Sequence, residues 1–109
     1  MPWLVSNGVV LASAEVLGRR RERVRGLLGR PGLEGAVVLS PCRWVHTIGM
    51  SFPIDVVYLD RAGVVIKTVQ MPRKRIGLPV LRARTVVEAE AGAFARWGLR
   101  VGDVVDVAD

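Results

Sequence analysis

The chain has 109 residues, half of them apolar and 24% charged, with a formal net charge of +6. That length suits one domain spanning residues 1–109 with a single core, and the composition excludes a disordered chain. One cysteine, Cys42, and one histidine, His46, exclude an intrachain disulfide, a cysteine-pair metal site and any site needing two imidazoles.

The predicted elements begin with a hairpin. Asn7-Gly8 lies between apolar stretches, and both residues tolerate the positive φ that a two-residue turn needs. The same stretch ends in Ala12-Ser13-Ala14, a pattern resembling a signal-peptide cleavage site. No Lys or Arg precedes Arg19, however, and Asn7-Gly8 interrupts the apolar run, so a hairpin and a cytoplasmic location are the expectation. No apolar run is long enough to span a membrane as a helix.

Val9 to Leu17 reads as a strand. From Arg19 the pattern becomes helical, with Val24, Leu27 and Leu28 on one face, Arg20 snorkelling over it, and Gly29 and Pro31 as the stop. Ala36 to Leu39 is a short buried strand, and Pro41 ends it. Val45 to Met50 and Ile54 to Leu59 read as two more strands; joined as a hairpin near Phe52, they would place His46 opposite Tyr58 and Asp55 opposite Gly49. Asp60-Arg61-Ala62-Gly63 has the residues of a type I turn, and Val64 to Gln70 follows as a strand. Met71 to Pro79 is a basic loop around Arg73-Lys74-Arg75, and Arg82 to Ala89 is a strand that would turn Arg82 and Arg84 to one side. A short helix at Gly92 to Trp97, stopped by Gly98, and a strand from Val104 to Val107 close the chain. The expected fold is therefore α+β and mainly β: a small bent antiparallel sheet or partly open barrel of six or seven short strands, with one or two short helices.

Four segments in order carry a resemblance: Arg23-Val24-Arg25-Gly26-Leu27-Leu28-Gly29-Arg30; His46-Thr47-Ile48-Gly49-Met50 with Phe52-Pro53-Ile54-Asp55-Val56; Asp60-Arg61-Ala62-Gly63-Val64-Val65; and Val86-Val87-Glu88-Ala89-Glu90-Ala91-Gly92 with Gly98-Leu99-Arg100-Val101-Gly102-Asp103. In this order they resemble the bacterial and archaeal domain of unknown function numbered one-nine-two. The resemblance implies a compact, mainly β domain and brings no established activity. Some members carry signal or anchoring segments, and this chain departs from them in lacking a clear one.

Polar residues inside apolar strands are the candidate site, because a buried carboxylate must meet a donor, a cation or water. Asp55, Glu88, His46, Thr47 and Met50 are the candidate ligand-binding residues; His46 and Asp55 are also the candidate base and its orienting acid, with Thr47 or Cys42 as nucleophile. No cofactor or metal is expected, since no glycine-rich phosphate loop and no ligand cluster occurs. Trp44, Phe52 and Trp97 read as core or as cover for a sheet end. The positive charge is carried by 14 Arg against 2 Lys, in a chain rich in Ala, Gly and Val, so base composition of the genome accounts for part of it. Three readings stay open, in this order. The first is a non-enzymatic module binding a protein or small molecule near His46 and Asp55; the second is a hydrolase-type enzyme using those two residues. The third is a domain binding nucleic acid or anionic lipid through its arginines.

Overall fold

A computed structural model describes residues 2–17, 34–45, 47 and 52–109. Seven strands follow the Val-rich segments: β1 (Trp3–Ser6), β2 (Val9–Leu17), β3 (Ala36–Leu39), β4 (Ile54–Leu59), β5 (Val65–Met71), β6 (Thr85–Glu90) and β7 (Val105–Ala108). One five-residue helix, α1 (Ala93–Trp97), precedes β7. The helix expected from Arg19 to Gly29 lies outside the described residues.

The strands form one sheet in the order β5-β4-β6-β3-β2-β1-β7. Each neighbouring pair is antiparallel except β2 and β3, which run parallel. A parallel pair needs a crossover of about a dozen residues or more, and residues 18–35 supply that length. The Asn7-Gly8 turn forms as expected, with φ of 53° and 76°, and sets β1 antiparallel to β2. The Asp60 turn also forms: Gly63 donates its N–H to the Asp60 carbonyl at 3.0 Å, and Asp60 Oδ1 accepts from the N–H groups of Ala62 and Val64.

Two expectations are corrected. Ile54–Leu59 is not the partner of residues 45–50, because β5 and β6 occupy the two edges of β4. Val45 and Thr47 lie in no strand, while the remaining residues of that stretch lie outside the described ones. The strand expected from Arg82 begins only at Thr85, since Leu81-Arg82 turns the chain.

The sheet bends because β2 is shared. Its first half pairs with β1 and its second half, Ala14–Leu17, pairs with β3. The bend brings the two edges together at one corner. Val64 bridges Val104, Val65 donates to the Asp103 carbonyl at 2.8 Å, and Val105 donates to the Gly63 carbonyl at 2.8 Å. The sheet is thus a strongly curled open sheet, joined at a corner and not a closed barrel. Its concave face holds one core to which every strand contributes, including Leu4, Ala14, Val38, Val57, Val65, Val87 and Val105, with Phe94 of α1 laid across it. The convex face carries a second core of Val37, Ile54, Val56, Tyr58 and Val86, closed by Val45 and Ala83 from the connecting segments. All six residues of β4 are buried, which is why that strand reads as an apolar run, interrupted only by Asp55, and not as an alternation.

The corner depends on Gly63. Its φ is 81°, and a Cβ there would stand 2.7 Å from the Val105 carbonyl oxygen. Gly8 has a similar φ of 76° with nothing within 4 Å. Both Gly8→Ala and Gly63→Ala meet the left-handed penalty of about 1 kcal/mol, and Gly63→Ala meets a backbone clash as well. In urea unfolding, Gly63→Ala is expected to lose roughly 1–2 kcal/mol more than Gly8→Ala; equal losses would mean the corner is not closed.

Candidate functional site

Asp55 is buried in β4, on the concave face with Ala89, its partner in β6. Its Oδ1 accepts from Gln70 Nε2 at 3.2 Å, and its Oδ2 accepts the backbone N–H groups of Gly92 and Phe94 at 3.0 and 3.1 Å. Gly92 is the N-cap of α1 and has no side chain to cap with. The carboxylate from β4 does that work, satisfying two N–H groups at the positive end of the helix. It thereby positions Phe94 in the concave core. Replacing Asp55 with Ala strands those N–H groups in the interior, at a cost of about 2–4 kcal/mol, while Asp55→Asn keeps one acceptor oxygen. The expected order of melting temperatures is wild type, then Asp55→Asn, then Asp55→Ala; an Asp55→Ala protein melting with wild type would exclude the capping role.

The other candidates are placed differently. Glu88 is buried next to Ala89 in β6, so it faces the convex core, with Val37 and Val56 beside it in register. The sheet therefore separates Asp55 from Glu88. Thr47 is fully buried and clamps the basic loop: its hydroxyl donates to the Pro72 carbonyl and accepts from the Arg75 N–H, both at 2.7 Å. Its backbone adds two more bonds, to Lys74 and Arg75. His46 and Met50 lie outside the described residues, as does the His46–Asp55 distance. Cys42 is half-buried and donates to the Trp44 carbonyl at 3.3 Å. Trp97 packs against Phe94 with ring centroids 5.6 Å apart, Phe52 packs on the convex core, and Trp44 stands exposed with its indole N–H on the Gly77 carbonyl. Among the described residues, no cluster of acidic, His or Cys side chains could hold a metal ion.

Tyr58, the sole tyrosine, lies at the heart of the convex core. Burial raises its phenol pKa above 10.0, and the neighbouring Cys42 and Glu88 raise it further. A pKa higher in the folded than in the unfolded chain means that the neutral phenol stabilises the fold below the unfolded value. That contribution disappears as pH rises through the folded value. In an alkaline absorbance titration the tyrosinate signal is expected to appear above pH 10, together with loss of structure; ionisation at the ordinary value would contradict the burial.

The most apolar of the larger concavities lies elsewhere. At the end of the concave face away from α1, a cleft of about 390 Å³ has an apolar floor of Val16, Val38, Leu59, Val87 and Val105. Ser40, Asp60, Arg61, Arg84, Thr85 and Asp106 stand at its rim, where Thr85 Oγ1 donates to Ser40 Oγ at 3.0 Å. A second, shallower groove of about 430 Å³ adjoins it, sharing Arg61 and Arg84 and adding Arg43 and Arg82. Among the described residues the ion pair formed is Arg96 with Glu90, at the other end of the fold. Among the described residues neither Arg61 nor Arg84 forms an ion pair, and the rim is a mixed charged edge over an apolar floor, with Asp60 and Asp106 beside the two arginines. The sequence hides this site because its parts come from six strands and two turns. The one available signal is the pair of arginines flanking strand ends, at Arg61 and Arg84.

Comparison with known proteins places these features in context. The family DUF192, described as Uncharacterized ACR, matches residues 4–107. A protein of unknown function from Novosphingobium aromaticivorans has a similar structure, with a TM-score of 0.80 and 20% identity over 96% of this chain and 82% of that one. A candidate transcription regulator from Sinorhizobium meliloti superposes with a TM-score of 0.78 at 15% identity, covering 97% of this chain and 91% of its own. At such identities the likeness is one of fold. No curated protein matches the sequence.

Proposed function

The chain belongs to the uncharacterised family DUF192, and from that premise we propose that it is a non-enzymatic binding domain for a small amphipathic anion. The observation that carries this reading is the cleft at the open end of the concave face, where an apolar floor meets Arg61 and Arg84, while the neighbouring Asp60 carboxylate is engaged by the N–H groups of its own turn. Its volume of about 390 Å³ falls in the range of small-molecule sites, and such sites combine apolar walls with a few placed polar groups. A carboxylate or phosphate would lie on the two guanidiniums, with the Ser40 and Thr85 hydroxyls beside them, and an aliphatic or aromatic body would cover the valines. Asp55 takes no part, since its oxygens hold α1 and Gln70.

Calorimetric titration with decanoate, and with decanol as the uncharged control, tests the proposal. Decanoate is expected to bind more tightly than decanol. Arg61→Ala/Arg84→Ala is expected to weaken decanoate roughly five- to tenfold, as two partly exposed charge contacts would, and to leave decanol unchanged. Val16→Trp fills the cleft from a half-exposed strand position and is expected to abolish both. Equal affinity for the two ligands, or decanoate binding untouched by both variants, would overturn the proposal.

A further inference from the structure

Among the described residues, the three most exposed large apolar side chains are Leu81, Leu78 and Ile76, at 80%, 75% and 64% exposure. They fall within six consecutive residues, and Trp44, 44% exposed, is hydrogen-bonded into the same loop. Single exposed apolar residues are ordinary, but a group of this kind marks an interaction surface. The loop is not a slack segment whose side chains could fold back. Gly77 donates to the Val45 carbonyl at 3.0 Å and Val80 to the Arg43 carbonyl at 2.9 Å, while Trp44 Nε1 reaches the Gly77 carbonyl at 2.7 Å. Arg43 Nε closes the far end on the Ala83 carbonyl at 3.1 Å.

Immediately before this loop, Arg73, Lys74 and Arg75 form an exposed turn fixed by Thr47. Lys74 is held at φ 62°, a left-handed conformation that a lysine adopts only at some cost. After the loop come Arg82 and Arg84, both exposed. The surface is therefore a rigid apolar projection, carrying one tryptophan, with cations on both flanks and no carboxylate in the stretch from Met71 to Thr85.

We propose that this loop docks the protein on anionic lipid bilayers, with Ile76, Leu78, Leu81 and Trp44 entering the interface and the flanking arginines and lysine meeting the headgroups. Charge complementarity selects the occupant. Apolar side chains submerged among headgroups, an interfacial tryptophan and a basic surround are the combination that holds peripheral proteins on anionic membranes. A nucleic-acid surface would use the cations and would leave three aliphatic side chains in water.

Flotation with vesicles tests this, using phosphatidylcholine alone and an equimolar mixture with phosphatidylglycerol. Wild type is expected to float with the mixed vesicles only, and Trp44, as the sole tryptophan in Trp3→Phe/Trp97→Phe, is expected to shift its emission to the blue. Arg73→Ala/Arg75→Ala is expected to weaken partitioning roughly thirtyfold, from about 1 kcal/mol for each basic residue at an anionic surface. Leu78→Asp/Leu81→Asp, both at exposed positions where the fold is unaffected, is expected to weaken it at least about tenfold. Val16→Trp, which fills the cleft, is expected to leave partitioning unchanged, so the cleft reading and the lipid reading fail separately. Equal binding to both vesicle types, unchanged binding by the Leu78/Leu81 variant, or binding to duplex DNA without vesicle binding would each overturn the proposal.

Discussion

Both faces of the central strands are apolar, and that constraint shapes the molecule. β4, with all six residues buried, cannot lie in a sheet that turns one side to water. The concave side is covered largely by the sheet itself. β2 passes from an antiparallel pairing to a parallel one, the far edges meet at Val64 and Val104, and α1 closes one end. The convex side is covered in part by irregular segments, which bring Val45 and Ala83 onto Tyr58 and its neighbours.

Covering apolar strands with irregular chain creates a second requirement, because backbone groups that leave water need partners. Two buried polar side chains meet it. Asp55 satisfies the N–H groups at the start of a helix too short to be stable alone. Thr47 makes a comparable set of bonds to the loop around Arg73–Arg75. Each looks in the sequence like a candidate catalytic or ligand group; in the fold each fastens a non-strand segment to the sheet.

The same architecture leaves two features over. Curling closes one corner and the helix closes one end, so the opposite end of the concave face stays open, with an apolar floor and Arg61 and Arg84 above it. Fastening residues 72–83 by their backbones turns Ile76, Leu78 and Leu81 outward. Arg82 and Arg84 lie between the two, at the shallow groove that adjoins the cleft. An amphipathic anion and an anionic bilayer present the same chemistry, so neighbouring surfaces suited to both are consistent with one another.

By itself the sequence determined the mainly β class, the Asn7-Gly8 and Asp60-Gly63 turns, the strands Val9–Leu17, Ala36–Leu39 and Ile54–Leu59, the short helix before Gly98, and kinship with DUF192. These rest on local physics: positive-φ tolerance, β-branched runs and ordered short motifs. Tertiary structure alone decided that β4 lies between β5 and β6, that β2 and β3 run parallel, that Asp55 and Glu88 face opposite sides, and that Arg61 and Arg84 share a rim. Register and curvature come from pairings between residues far apart in the chain, and alternation within one strand says which residues share a face without saying what that face meets.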